Sequence, residues 1–209
     1  MCAMHTMQSS VAAAQWLTHV NGVQPTRQMA GWLTDRMSLT VKLIAHSDRF
    51  KVRRLAQGRA LCLEDETAAV GLPHRTCVRE REVLLCCDER PVVFAHTIVP
   101  LLASASDWPF FSSLGERSLG TTLFNDPLVR RGALEYARLP ARHPLALRAR
   151  HAVGDTVGIG DVLFARRCLF RRKNGVLLVT EVFLPTISGL VLQKAMPLRT
   201  VRSDQRVYK

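Results

Sequence analysis

Aromatic residues make up only 6% of this 209-residue chain, and acidic residues are outnumbered, 17 Asp+Glu against 29 Lys+Arg. The net charge of +12 invites a nucleic acid, a membrane surface or a small anion. Its arginines come as scattered pairs (Arg53-Arg54, Arg130-Arg131, Arg166-Arg167, Arg171-Arg172), not as one block interleaved with aromatics. No nucleic-acid partner is therefore expected. Most of the basic side chains read as a solvated surface that steers anions as a by-product. None of the six cysteines has a C-x-x-C spacing, so neither a zinc site nor a disulfide framework follows. They read as small buried or half-buried thiols. No apolar run approaches the roughly 18 residues that span a bilayer. No basic start leads into a long apolar segment, so no secretory signal is read and the cytoplasm is the expected location. GIGD (158–161) lacks the G-x-G-x-x-G spacing of a dinucleotide fingerprint. Internal repeats and low-complexity stretches are missing as well.

What is present suits one domain with a real core: 47% of the residues are hydrophobic. The stretch RRKNGVLLVTEVFLP, Arg171 to Pro185, reads as the turn and second strand of a hairpin, with Lys173-Asn174-Gly175 as the turn. Both alternating rows of that strand are apolar, which predicts cover on both faces. Glu181 stands inside one row, beside Val179 and Phe183. A carboxylate there must find a cation or a hydrogen-bond donor. A second hairpin runs from Val78 to Pro100 around Asp88-Glu89-Arg90-Pro91. On its first strand Arg81 shares a face with Val83, Leu85 and Cys87, where an arginine either snorkels to solvent or serves a site.

Elsewhere the signals are weaker. Val11 to Leu17 suits a short helix. Ser38 suits an N-cap for a helix carrying Leu39, Leu43 and Ile44 on one side, and Phe50 to Leu55 suits a strand. The acidic run in Leu63 to Pro73 reads as a solvated excursion, since no histidine is placed to complete a metal site. Gly115 can end an element, and Gly120 lets backbone approach closely. Leu128 to Leu139 fits strand and helix equally. Leu139 to Asp161 reads as a loop or insertion. The expected organisation is an N-terminal extension (1–27), a domain (28–185) and a basic C-terminal extension (186–209). Two firm hairpins and only short helices predict an antiparallel α+β fold.

Three blocks in order, VREREVLLCCDERPVVFAHTIVP, LGERSLGTTLF and FARRCLFRRKNGVLLVTEVFLP, resemble the chorismate pyruvate-lyase family. WLTDRMSLT, Trp32 to Thr40, is a fainter fourth. The resemblance implies a six-stranded antiparallel sheet with helical excursions around an enclosed site. It implies cofactor-free cleavage of chorismate to 4-hydroxybenzoate and pyruvate, at the start of ubiquinone synthesis; a monomer is expected. It places Arg81 on the carboxylate of the aromatic product and Glu181 at the ring hydroxyl. Backbone groups of Met37 and Leu119 complete that site. His96 stands where some members carry arginine, which suggests altered gating or product release. The alternative is a ligand-sensing module of the same fold. Regulators with that module carry an N-terminal winged helix-turn-helix, for which the roughly 30 residues before the shared region are too short.

Overall fold

The structure, a computed structural model, describes residues 14–104, 107–154 and 157–193. Six strands form one antiparallel sheet: β1 (Phe50–Leu61), β2 (Cys77–Cys87), β3 (Arg90–Pro100), β4 (Val129–Pro140), β5 (Val162–Arg172) and β6 (Gly175–Phe183). Their order across the sheet is β1-β2-β3-β6-β5-β4. Each half is a three-stranded meander, and the two halves meet where β3 pairs with β6. The expected α+β class with a single six-stranded antiparallel sheet is what the chain forms. Short helices fill the connections: α1 (Arg27–Leu33), α2 (Leu39–Ala45), α3 (Glu64–Thr67), α4 (Leu101–Ser104), α5 (Leu119–Asn125) and α6 (Pro144–Val153). Among the described residues no helix is long and apolar enough to cross a membrane.

Both hairpins turn on two residues, for different reasons. Asp88 and Glu89 both have positive φ (50° and 64°), the twist that matches a hairpin's strands. The Asp88 carboxylate accepts the Asp48 and Arg49 N–H groups, fixing the turn against the start of β1. In the β5–β6 hairpin the positive φ falls on Lys173 (52°), not on Gly175. Gly175 is required for space: a Cβ there would stand 2.6 Å from the Asp107 Cβ. Gly175→Ala is expected to cost about 1–3 kcal/mol by overpacking, measurable as a lower urea midpoint.

The sheet is covered on both faces, as the two apolar rows of β6 required. Leu177 and Phe183 pack with the front clusters, and Leu178 and Val182 with those behind. α2 and α5 meet over the front. α6 covers the back through Leu145, Ala146, Ala149 and Val153. It lies within the stretch read as a loop or insertion; Pro144 opens it and the His143 side chain accepts the Leu145 N–H. The undecided stretch before it is a strand. The described part of Val11 to Leu17 is not helical. Leu17 instead exchanges two backbone hydrogen bonds with Tyr136 on the open edge of β4. Ser38 holds the N-cap position of α2, but its hydroxyl makes no capping hydrogen bond, and of the three apolar residues expected on one side Leu39 and Leu43 turn inward while Ile44 is 44% exposed. The β1 alternation breaks at a bulge between Arg54 and Ala56, which leaves Leu55 outward. At the other end Ile187 is buried against the front cluster.

Candidate functional site

The alternation of β2 sends Arg81 forward with Val83 and Leu85, and the alternation of β6 sends Glu181 forward with Val179. Both enter one front-face cavity between the sheet and the α2–α5 layer, with about 640 Å³ of empty space, solvent at its mouth included. Leu119 and Gly120 of α5, with Thr40 of α2 and Met37 just before it, form its roof. Gly120 has no side chain because a Cβ would come within 3.0 Å of Thr40 Oγ1. The Thr40 and Ser118 hydroxyls meet at 2.6 Å across the same junction.

Arg81 does not snorkel. It is 2% exposed, and its Nη2 donates to the carbonyls of Gly115 (2.9 Å) and Arg117 (2.8 Å). Its Nε is buried with no acceptor. Among the described residues it forms no ion pair with a carboxylate. Burial, helped by nearby Arg54, pushes its pKa down to about 10, so the fold holds an under-compensated cation at the cavity wall.

Glu181 has a partner inside the chain, contrary to the expectation that a ligand hydroxyl would supply it. Arg166 Nε donates to its Oε2 at 2.5 Å. Arg166 is only 1% exposed, so the Arg166-Arg167 pair does not belong to the solvated surface. Nη1 of Arg166 donates to the carbonyls of Trp32 (3.0 Å), Leu33 (3.2 Å) and Asp35 (2.8 Å), capping the C-terminal end of α1. Strand alternation sends its neighbour Arg167 backward, onto Glu135 and the Trp16 ring. The two front arginines make a reciprocal exchange. Arg81 of the first meander holds carbonyls that precede α5, and Arg166 of the second holds carbonyls that precede α2.

Met37 and Leu119 both line the cavity. Leu119 is the first residue of α5, where an N–H has no acceptor within its own helix. The Met37 N–H is already given to the Asp35 carboxylate at 2.7 Å. Burial works to raise the Asp35 pKa, but bonds from Lys42 and the Met37 amide outweigh it and hold the carboxyl below its usual value.

His96 points to the other face, away from the cavity, so it cannot gate the site by contact. It is 1% exposed and surrounded by Glu66 (3.1 Å), Glu82 (3.2 Å) and Glu80 (3.7 Å). Burial lowers its pKa, but the three carboxylates overcome that and drive it up to about 10. Arg148 bridges Glu80 and Glu82. An imidazolium has no free lone pair and the guanidinium fills the gap, so the cluster is an ion-pair network and not a metal cradle. The acidic run is accordingly solvated only at Glu64. Glu66 is buried against His96, and Asp65 accepts from Trp16 and His143.

Arg166, Arg131 and Cys168 also line the cavity and were missed from the sequence. The available signal was the position of Arg166 and Cys168 on the strand paired with the two-faced β6, where neither face reaches solvent.

A family profile described as "Chorismate lyase" matches residues 10–192. A protein of Ralstonia nicotianae named "Probable chorismate pyruvate-lyase" is 52% identical over 160 residues, covering 76% of this chain and 82% of that protein. One of Cupriavidus metallidurans with the same name is 48% identical over 176 residues, covering 84% and 80%. Among solved structures, the C-terminal domain of histidine utilization repressor from Pseudomonas syringae is similar at 10% identity and a TM-score of 0.47, over 73% of this chain and 99% of that one.

Proposed function

The chain belongs to the chorismate lyase family, and from that premise we propose that it cleaves chorismate to 4-hydroxybenzoate and pyruvate without a cofactor. The observation that carries the proposal is the pairing of groups in one cavity. A buried arginine with no carboxylate partner among the described residues stands on β2, and a carboxylate held by its own arginine stands on β6. Arg81 takes the ring carboxylate, since a guanidinium matches it with two parallel donors, and the Leu119 N–H adds a neutral one. Glu181, ion-paired to Arg166, accepts the hydrogen bond of the ring C4 hydroxyl. Met37, its N–H engaged by Asp35, has its carbonyl left for the same end of the ring.

The reaction breaks the C3–O bond and removes the C4 proton. The C4–H electron pair becomes the new ring double bond, and the C–O pair leaves with enolpyruvate, which gains a proton at its CH2 carbon to become pyruvate. The gain of aromaticity drives the step, so the protein supplies position and charge more than a strong nucleophile. The proposal extends to the start of ubiquinone synthesis, in the cytoplasm, by a monomer whose catalytic unit is residues 28–185.

Incubating the purified chain with chorismate is expected to yield 4-hydroxybenzoate and pyruvate in equal amounts. Tight 4-hydroxybenzoate binding without turnover would instead make the chain a sensing module of this fold. If the chain showed no binding and no turnover, the assignment of the cavity would be overturned.

A further inference from the structure

Three arginines and one glutamate line the front cavity: Arg81, Arg131, Arg166 and Glu181. Arg166 is neutralised by Glu181, which leaves two guanidinium groups facing the cavity without a carboxylate among the described residues. Arg81 is one. Arg131, on β4, is the other. Its Nη1 donates to the Arg36 carbonyl, while its Nε is buried with no hydrogen-bond partner. The Phe124 and Phe170 rings flank it at 5.5 Å and 6.0 Å. Phe170 approaches the planar group from the buried side and Phe124 from the half-open mouth, and together they hold it in place. The bulge in β4 directly after Arg131 sets this side chain apart from the regular alternation of the strand.

The two unpaired cations lie at opposite ends of the site. β2 and β4 are four strand spacings apart, about 19 Å at the backbone, with Glu181 of β6 between them. A monocarboxylate occupies only one of them. The excess of two positive charges matches a dianion whose carboxylates sit on different arms of the molecule.

We infer that Arg131 binds the second carboxylate of a dicarboxylate substrate, the one on the enolpyruvyl arm, while Arg81 holds the ring carboxylate. The assignment rests on the proposed lyase function and adds to it a division of labour. Arg81 and Glu181 contact the half that becomes 4-hydroxybenzoate. Arg131 contacts only the half that leaves. Breaking the C3–O bond therefore frees the Arg131 contact and leaves the Arg81 contact intact. Arg131 discriminates substrate from aromatic product, which the other site residues do not.

The test measures two ligands on one variant. For Arg131→Met, kcat/KM for chorismate is expected to fall on the order of 100-fold, mainly through KM. The dissociation constant for 4-hydroxybenzoate is expected to stay within about threefold, since nothing it touches has changed. Arg131→Lys is expected to recover part of the chorismate loss, because it returns the charge without the planar fork. Unchanged 4-hydroxybenzoate affinity also shows that the variant cavity is folded. Equal losses for both ligands would make Arg131 a packing residue, and unchanged chorismate kinetics would remove it from the site; either overturns the inference and leaves the lyase function standing. A wild-type chain that does not turn over chorismate overturns both.

Discussion

Replacing Arg166 with methionine is expected to lower the unfolding free energy by about 3–5 kcal/mol, or the Tm by roughly 6–20 °C for a chain of this size. Methionine fills most of the volume, so the loss comes from charge and hydrogen bonding. The Glu181 carboxylate would lose its only ion pair among the described residues. The carbonyls of Trp32, Leu33 and Asp35 would lose a shared donor at the end of α1. Removing Glu181 as well, in an Arg166→Met, Glu181→Leu double variant, is expected to recover part of the stability, since no charge is then stranded. What the double variant fails to recover measures the clamp on the three carbonyls. Urea unfolding of the wild type and the three variants closes the cycle. An Arg166→Met protein as stable as the wild type would show that water already screens the pair.

Arg81→Met is expected to behave in the opposite way. It removes a buried cation that faces no carboxylate among the described residues, so stability should change by about 1 kcal/mol or less, the loss of two carbonyl bonds being offset by relief of desolvation. Affinity for 4-hydroxybenzoate should fall on the order of 10²–10³-fold, the cost of leaving a carboxylate unpaired in an apolar cavity. Calorimetric titration together with a melting curve separates the two effects. A large drop in Tm with little change in affinity would make Arg81 a structural residue, tied to Gly115 and Arg117 for the sake of the fold alone.

The contrast between these arginines marks how far the sequence could be read. Arg81 and Glu181 were legible because each interrupts an apolar row of period two, and a charge out of pattern needs a reason. The central hairpins were legible from turn chemistry and alternation. Arg166 was not, because its doublet with Arg167 looks like surface charge. Only the pairing of β5 beside the doubly covered β6 shows that one arginine of the pair goes forward and the other back. The partners of His96 were hidden for a similar reason. Glu66 and Arg148 arrive from α3 and α6, far along the chain, and no local pattern announces such a meeting. α6 was obscured by its Pro and Arg content, although Leu145, Ala146, Ala149 and Val153 already carried the spacing of one helical face. Met37 was expected to serve the site through its backbone groups, and its N–H goes to the Asp35 carboxylate two residues away.

The reciprocal exchange between Arg81 and Arg166 bears on when the site comes into being. Each meander can form its hairpin from neighbouring residues, on the microsecond scale of such elements. The cavity, however, has walls from both halves. Arg81 can reach its carbonyls, 34 and 36 residues along, without the second half, but Arg166 finds its own, and Glu181 enters the same cavity, only after β3 has zipped onto β6 across some 80 residues of intervening chain. Pairing at that separation is slow because loop closure must precede any contact that rewards it. The anion site is therefore the last part of the molecule to mature, and its appearance during refolding marks the moment at which the two halves have become one protein.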